Sequence, residues 1–162
     1  MVAVPPSAEV RELTETDLLE PIRDVSHAVI QLLAPQVVAA DLGPSTFWPL
    51  HHLDRGKERH PSELARRLGV TPATCTASVD QLVERGFVVR RPSERDRRQV
   101  VLVVTPKGHR TLEAVWRRFD SSLREVLAGI PSEDIAVTAR TLRTIATQLR
   151  NEGIPAATGD RA

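Results

Sequence analysis

Residues 63–72 read ELARRLGVTP, a run that predicts two short helices joined by a tight turn. Gly69 fits the position after a helix C-terminus, where a left-handed backbone is needed, and Thr71-Pro72 fits an N-cap followed by proline in the first turn. The second helix should run to Arg85, where Gly86 stops it. The residues expected to face inward are Leu64, Ala65, Leu68, Val70, Cys75, Val79 and Leu82. The pattern predicts a helix-turn-helix.

Two β-branched runs follow at residues 87–91 and 99–104, joined by a polar loop over residues 92–98. This composition predicts a β-hairpin with a charged tip, which is the wing of a winged helix. Thr105-Pro106 then predicts the capped start of a long helix. Gly129 should interrupt that helix before a last one restarts around Ser132.

The segment that precedes this unit predicts one long helix and one short one. Apolar residues recur every three or four positions between residues 18 and 37, which indicates an amphipathic helix about six turns long. Pro35 is expected to end or kink that helix, because proline lacks an N–H. Asp41-Leu42-Gly43-Pro44 predicts a turn, and Ser45 is expected to cap a short helix that runs through Leu53.

Composition excludes several classes of protein. The chain has 162 residues, of which 41% are hydrophobic and 27% charged, as in a soluble globular domain with or without an appendage. Its longest apolar run, Val100 to Val104, is far shorter than the ~20 residues that a membrane span needs, so no membrane association is expected. Pro5 and Pro6 interrupt any apolar signal region, so a cytoplasmic location is expected. One cysteine, Cys75, cannot form an internal disulfide.

The charge is unevenly distributed along the chain, although the formal net charge is only +1. Residues 55–118 hold 15 Lys or Arg against 7 Asp or Glu, a balance of +8, and the remainder carries −7. A basic middle between acidic ends is typical of a domain that meets a polyanion, although a solvated arginine-rich face would have the same balance.

Three segments together resemble the MarR family of bacterial transcription regulators: residues 63–70, residues 82–88, and Glu94-Arg95-Asp96-Arg97-Arg98 followed by Val104-Thr105-Pro106-Lys107-Gly108. Many helix-turn-helix families share the first segment, whereas the third is much more specific. The resemblance covers roughly residues 17 to 150. It implies a mainly α (α+β) fold, a winged helix-turn-helix with N- and C-terminal dimerisation helices. It also implies a homodimer that binds a pseudo-palindromic, inverted-repeat operator in double-stranded DNA.

The resemblance also implies a division of the chain. Residues 1–15 would be a mobile N-terminal tail and residues 16–44 a dimerisation helix. Residues 45–105 would form the winged DNA-binding lobe. Residues 106–150 would hold a long linker helix and a C-terminal dimerisation helix, and residues 151–162 a disordered tail.

The family pattern places the wing's functional pair at Asp96 and Arg98. An arginine suits the narrow, strongly negative minor groove of A·T-rich DNA, and the carboxylate is expected to aim that guanidinium. Arg95 and Arg97 flank the pair and can meet phosphates.

The recognition helix, residues 72–85, is expected to present small methyls and hydroxyls to the major groove. Ala77 stands where many family members have a basic residue, so phosphate contacts should matter more here. Arginines expected to supply such contacts are Arg66, Arg67, Arg85 and Arg90. The full set of expected DNA-binding residues is Thr71, Ala73, Thr74, Thr76, Ala77, Asp80, Arg95, Asp96, Arg97 and Arg98.

The resemblance suggests a pocket for a small-molecule effector, such as an aromatic acid, between the dimer scaffold and the DNA lobe. Its candidate lining residues are Asp24, His27, Trp48, His51 and His52. The alternative is that the aromatic residues are core anchors and the histidines are solvated. Adjacent histidines point about 100° apart on a helix, so only one of them can face a common metal and no metal site is expected. No cofactor is expected either.

Enzyme classes find no support, because the chain has neither a Gly-rich phosphate loop after a strand nor a Gly-x-Ser-x-Gly elbow. The prediction is a DNA-binding transcription regulator, a repressor by preference. Two alternatives stay open: a metal- or redox-sensing regulator that uses His51, His52 or Cys75, and a winged-helix module that binds proteins. The basic wing argues against the second, and Cys75 suits a small core hydrophobe better than a sensor.

Overall fold

The computed structural model describes residues 15–56, 60–93 and 96–151. These form helices and one two-stranded antiparallel sheet, the mainly α architecture that the sequence predicts. The tails expected at residues 1–15 and 151–162 lie outside the described residues, except for Glu15 and Asn151, which belong to helices. In chain order the elements are α1 (Glu15–Ala39), α2 (Pro44–Asp54), α3 (Pro61–Leu68), α4 (Pro72–Glu84), β1 (Val88–Pro92), β2 (Val100–Val104), α5 (Pro106–Leu127) and α6 (Ser132–Asn151).

Of the two effects expected of Pro35, the end of the helix does not occur there, because α1 continues to Ala39. Leu33 and Val37, on either side of the proline, are both buried in the core. Their burial outweighs the single intrahelical hydrogen bond that proline removes. The predicted turn after α1 is confirmed, with Leu42 N–H donating to the Val37 carbonyl at 3.0 Å and Asp41 at a φ of 57°.

Helix α2 begins two residues earlier than predicted, because Gly43 and not Ser45 is its N-cap. Pro44 takes the first helical position, where its missing N–H costs nothing. The Gly43 N–H donates to the Thr46 hydroxyl at 3.0 Å, so a side chain three residues on replaces the expected serine cap. Ser45 is exposed within the first turn.

The helix-turn-helix and the wing form as predicted. Gly69 has a φ of 66° after α3, and the Thr71 hydroxyl accepts the Thr74 N–H at the start of α4. In the hairpin β1 pairs with β2 from Val88 opposite Val104 to Pro92 opposite Val100. Of the residues expected to face inward, Leu64, Ala65, Cys75, Val79 and Leu82 are buried, and Leu68 and Val70 pack partly buried against them.

Two helices leave much of their apolar surface uncovered. The first half of α1 is exposed, and α6 makes few contacts with the rest of the described chain. The exposed large apolar side chains on these two helices are Leu18, Leu19, Val25, Val29, Ile30, Val38, Val137, Leu142 and Leu149. A single copy of the chain therefore does not bury the apolar stripes that its sequence encodes.

Among the described residues, no single helix is both long and apolar enough to cross a membrane. Helices α1 and α2 reach that length and composition only when taken together, and they are bent by 91° from each other.

Candidate DNA-binding surface

Helix α4 is divided into a buried and an exposed face. Cys75, Ser78, Val79 and Leu82 lie in the interior. The exposed face carries the residues expected to meet DNA, namely Ala73, Thr74, Thr76, Ala77 and Asp80, with Thr71 exposed at the cap. This helix therefore presents a narrow stripe of small side chains that would allow close approach to base edges.

The threonine hydroxyls on this face are partly engaged within the helix. The Thr76 hydroxyl donates to the Pro72 carbonyl at 2.8 Å, and the hydroxyls of Thr71 and Thr74 share a hydrogen bond of 2.9 Å. A hydroxyl has two acceptor lone pairs beside its donor. Because the Thr76 hydroxyl donates to Pro72, its oxygen is left as an acceptor for a further partner.

The wing tip is ordered by Asp96, but not in the way that the sequence predicted. Its Oδ1 accepts the backbone N–H of Arg98 at 3.0 Å, and its Oδ2 accepts the Gln99 side-chain amide at 3.1 Å. The expected bond to the Arg98 guanidinium is replaced by this bond to the backbone, because a carboxylate readily reaches the amide two residues on. Arg97 and Arg98 are exposed. Arg95, also expected to contact DNA, lies outside the described residues.

The Thr-Pro-Lys-Gly segment at residues 105–108 joins α5 to the base of the wing. The Thr105 hydroxyl donates to the Gly86 carbonyl at 2.7 Å and accepts the Gly108 N–H at 3.1 Å. Lys107 Nζ donates to the Arg85 carbonyl at 2.7 Å and lies 4.7 Å from the centre of the Phe87 ring. The segment thus fixes the end of α4 and the start of β1 to the long helix.

Three of the arginines expected to contact phosphates also bind protein groups. Arg85 forms an ion pair with Asp41 and lies over the Phe87 ring, which ties α4 to the turn after α1. Arg67 Nε is 3.4 Å from His52 Nδ1. Arg90 Nη2 is 2.7 Å from Asp80 Oδ1. Sequence spacing could not reveal these pairs, because the partners of Arg85 and Arg67 are 44 and 15 residues away.

The expected effector residues fall into two groups. Trp48, His51 and His52 lie together on α2, where the His51 ring is 5.0 Å from the Trp116 ring and 6.1 Å from that of Phe47. Asp24 and His27 lie on the exposed part of α1, with Asp24 3.3 Å from Arg23. Sequence reasoning missed Trp116, whose spacing indicates only a core position on α5.

A cleft of about 530 Å³ opens beside this aromatic cluster. Its lining residues come from α5 and the end of α2: Asp54, His109, Leu112, Glu113, Trp116, Arg117 and Asp120. His109 Nδ1 contacts the Asp54 carboxylate and so joins the two helices. Burial lowers the pKa of His51, with the neighbouring His52 and Arg55 charges acting in the same direction, so its imidazole is neutral at pH 7.

Cys75 is buried beneath α3, with its Sγ 3.6 Å from the Pro61 carbonyl. Burial raises the pKa of the thiol and so reduces the thiolate that redox chemistry requires. In the described part of the chain, no three His, Cys, Asp or Glu side chains converge as a metal site would need.

Comparison with known proteins relates this arrangement to one family. A family model described as MarR family matches residues 40–99. The chain is 30% identical to the transcriptional repressor MprA of Escherichia coli over 122 residues, which is 72% of this chain and 69% of MprA. It is 35% identical to the transcriptional repressor YetL of Bacillus subtilis over 113 residues, 68% of each chain.

Solved structures give the same fold. A MarR family protein from Bacillus stearothermophilus superposes with a TM-score of 0.79 at 24% identity, over 88% of this chain and 99% of that one. The relatives MprA and YetL are named as transcriptional repressors and not as enzymes. The chain belongs to the MarR family of DNA-binding transcription regulators.

Proposed function

We propose that the protein is a homodimeric repressor that binds an inverted-repeat operator in double-stranded DNA. The observation that carries the proposal is the exposed small-residue face of α4, which the Asp80–Arg90 pair joins to the hairpin that carries the exposed Arg97 and Arg98. In each subunit α4 would enter a major groove and the wing the adjacent minor groove. The proposed DNA-binding surface is made of the residues expected from the sequence, with Asp96 ordering the wing tip. Such a regulator acts in the bacterial cytoplasm, where its DNA is.

The uncovered apolar stripes of α1 and α6 support the proposed dimer. Contiguous apolar surface of this kind marks a partner surface, and twofold symmetry is the usual arrangement. We assign residues 16–44 and 106–150 to the dimer scaffold and residues 45–105 to the DNA lobe. Two lobes would then face successive major grooves about 34 Å apart on one side of the duplex.

The wing arginines provide the direct test of this function. We expect Arg98→Ala to weaken binding to the preferred duplex by ~1–3 kcal/mol, because it removes the side chain assigned to the minor groove. We expect Arg97→Ala to weaken binding evenly across sequences and to reduce the slope of log K against log salt by about one, because it removes a phosphate contact. Fluorescence anisotropy with the preferred duplex and a scrambled one measures both effects. If Arg98→Ala binds the preferred duplex as tightly as the parent at matched salt, the wing assignment is wrong.

We further propose that an aromatic carboxylate binds at the His51–Trp116 cluster and weakens DNA binding. The stacked rings support an aromatic ligand, and Arg117 is the residue that would meet its carboxylate in a cleft that also holds Asp54, Glu113 and Asp120. The site lies where α2 meets α5, so an occupant could alter the spacing of the two lobes. To release DNA, the ligand must bind more tightly to the form of the protein whose lobe spacing cannot bind DNA. A coupling free energy of ~1–3 kcal/mol between ligand binding and DNA binding is enough.

We expect salicylate to lower DNA affinity in the parent and to do so less in His51→Ala, whose DNA affinity without ligand should be unchanged. His27→Ala is the matched control, because His27 lies outside the cluster, and it should respond like the parent. Anisotropy titrations with and without salicylate measure the effect. An equal ligand response in His51→Ala and the parent would remove His51 from the site.

A further inference from the structure

We propose that Asp80 is a positioning residue, which holds Arg90 so that its guanidinium can bind a DNA phosphate, and does not itself read bases. The proposal rests on the DNA-binding function proposed above. Asp80 Oδ1 lies 2.7 Å from Arg90 Nη2, and this pair joins α4 to β1. The juxtaposition of a carboxylate on the face assigned to DNA with an arginine at the base of the wing carries the inference.

Asp80 lies on the face of α4 that is assigned to DNA. Ala73, Thr76, Ala77 and Asp80 are spaced by three, one and three residues, so they share one face of α4. A carboxylate on that face would be repelled by the phosphates of DNA. Bound to Arg90, it adds no net negative charge to the surface.

Arg90 is suited to a second anionic partner. Its backbone is fixed opposite Leu102 in the hairpin, so only the side chain needs to be placed. The side chain remains 40% exposed in the pair, so the guanidinium is accessible. A guanidinium has five N–H donors in a rigid fork, so the contact with Asp80 leaves donors free for a phosphate oxygen. Because the carboxylate would already restrict the rotamers of Arg90 in the free protein, Arg90 would lose less side-chain entropy on binding DNA.

The direction in which Asp80→Asn changes DNA affinity distinguishes a positioning role from that of a solvated charge. If Asp80 were only an exposed acid facing DNA, Asp80→Asn would remove repulsion and tighten binding. If it positions Arg90, the same change should weaken binding about tenfold and reduce the salt slope by about one, because the phosphate contact is lost. Glu84→Gln is the matched control: it removes the same charge one turn further along the same helix, and it should leave affinity unchanged or raise it.

The experiment uses the full chain and the duplex enriched from a random 30-base-pair library, with affinity measured by anisotropy. Asp80→Asn, Arg90→Ala and the double variant form a cycle, in which the double variant should bind no more weakly than Arg90→Ala alone. Asp80→Glu should recover part of the loss. Thermal unfolding should be nearly unchanged in all of them, because exposed ion pairs contribute little to stability.

Three results would overturn the proposal. The first is that Asp80→Asn binds DNA as tightly as the parent or more tightly. The second is that removing the Asp80 carboxylate lowers DNA affinity equally in the presence and absence of Arg90. The third is a changed preference at one base pair with an unchanged salt slope, which would indicate that Asp80 reads a base. Failure of the parent chain to bind any duplex would instead refute the DNA-binding function on which the proposal rests.

Discussion

Gly108→Ala is expected to lower the free energy of unfolding by about 3 kcal/mol. A Cβ at this position would lie 2.4 Å from the Phe87 carbonyl oxygen and 2.7 Å from Val104 Cγ1. The oxygen belongs to the backbone and also accepts the Thr105 N–H at 2.9 Å, so it cannot move without breaking the base of the wing. The added methyl group must therefore displace α5 from the hairpin.

Gly129→Ala provides the control for this substitution. A Cβ there would meet nothing within 4 Å, and Gly129 does not have a positive φ. Because alanine also restricts the unfolded chain, this variant should unfold at the parent's denaturant midpoint or slightly above it. Urea denaturation followed by circular dichroism measures both variants. An unchanged midpoint for Gly108→Ala would show that α5 does not pack against Phe87 as described.

Leu142→Asp is expected to shift the monomer–dimer equilibrium by at least a hundredfold toward the monomer. Leu142 lies in the apolar stripe of α6 and is 41% exposed in the single chain. In the proposed dimer each subunit would bury one new, unpaired carboxylate. A buried unpaired charge costs several kcal/mol, and twofold symmetry places two of them in the interface.

Val100→Asp is the matched control for the interface, because Val100 is 45% exposed but lies on β2 in the DNA lobe. It should sediment like the parent. The parent should form a dimer with an interface of ~2,000 Å² or more, which is the size range of obligate dimers. A parent chain that sediments as a stable 17.9 kDa monomer at micromolar concentration would contradict the dimer.

Local signals in the sequence were sufficient for most of the fold. Thr71-Pro72 and Thr105-Pro106 mark helix starts, and Gly69 and Gly86 mark helix ends, because each motif satisfies its own backbone within a few residues. Such motifs do not depend on the rest of the molecule. The error at the start of α2 also has a local cause, because Pro44 and Thr46 together move the N-cap by two residues, from Ser45 to Gly43.

The candidate site was less predictable, because its pairs are formed by tertiary contact. Nothing in the sequence near Arg85 or Arg90 indicates that their side chains bind Asp41 and Asp80. The sequence does not distinguish an arginine that forms an ion pair within the protein from one that is free to bind a phosphate. The resemblance suggested that Asp96 binds the Arg98 guanidinium, whereas its carboxylate binds the Arg98 backbone N–H. Trp116 illustrates the same limit, because a helical apolar stripe does not reveal which ring lines a cleft.

Selection of duplexes from a random library by the purified chain, followed by footprinting, tests whether the protein binds an inverted-repeat operator as a dimer. We expect an enriched inverted repeat whose half-sites are about one helical turn apart, with protection of both half-sites and of the minor groove beside each. A dimer should bind each repeat, and Arg98→Ala should lose the minor-groove protection first. Enrichment of isolated half-sites would rule out the proposed dimeric binding, and no enrichment with no shift at micromolar protein would rule out the proposed DNA-binding function.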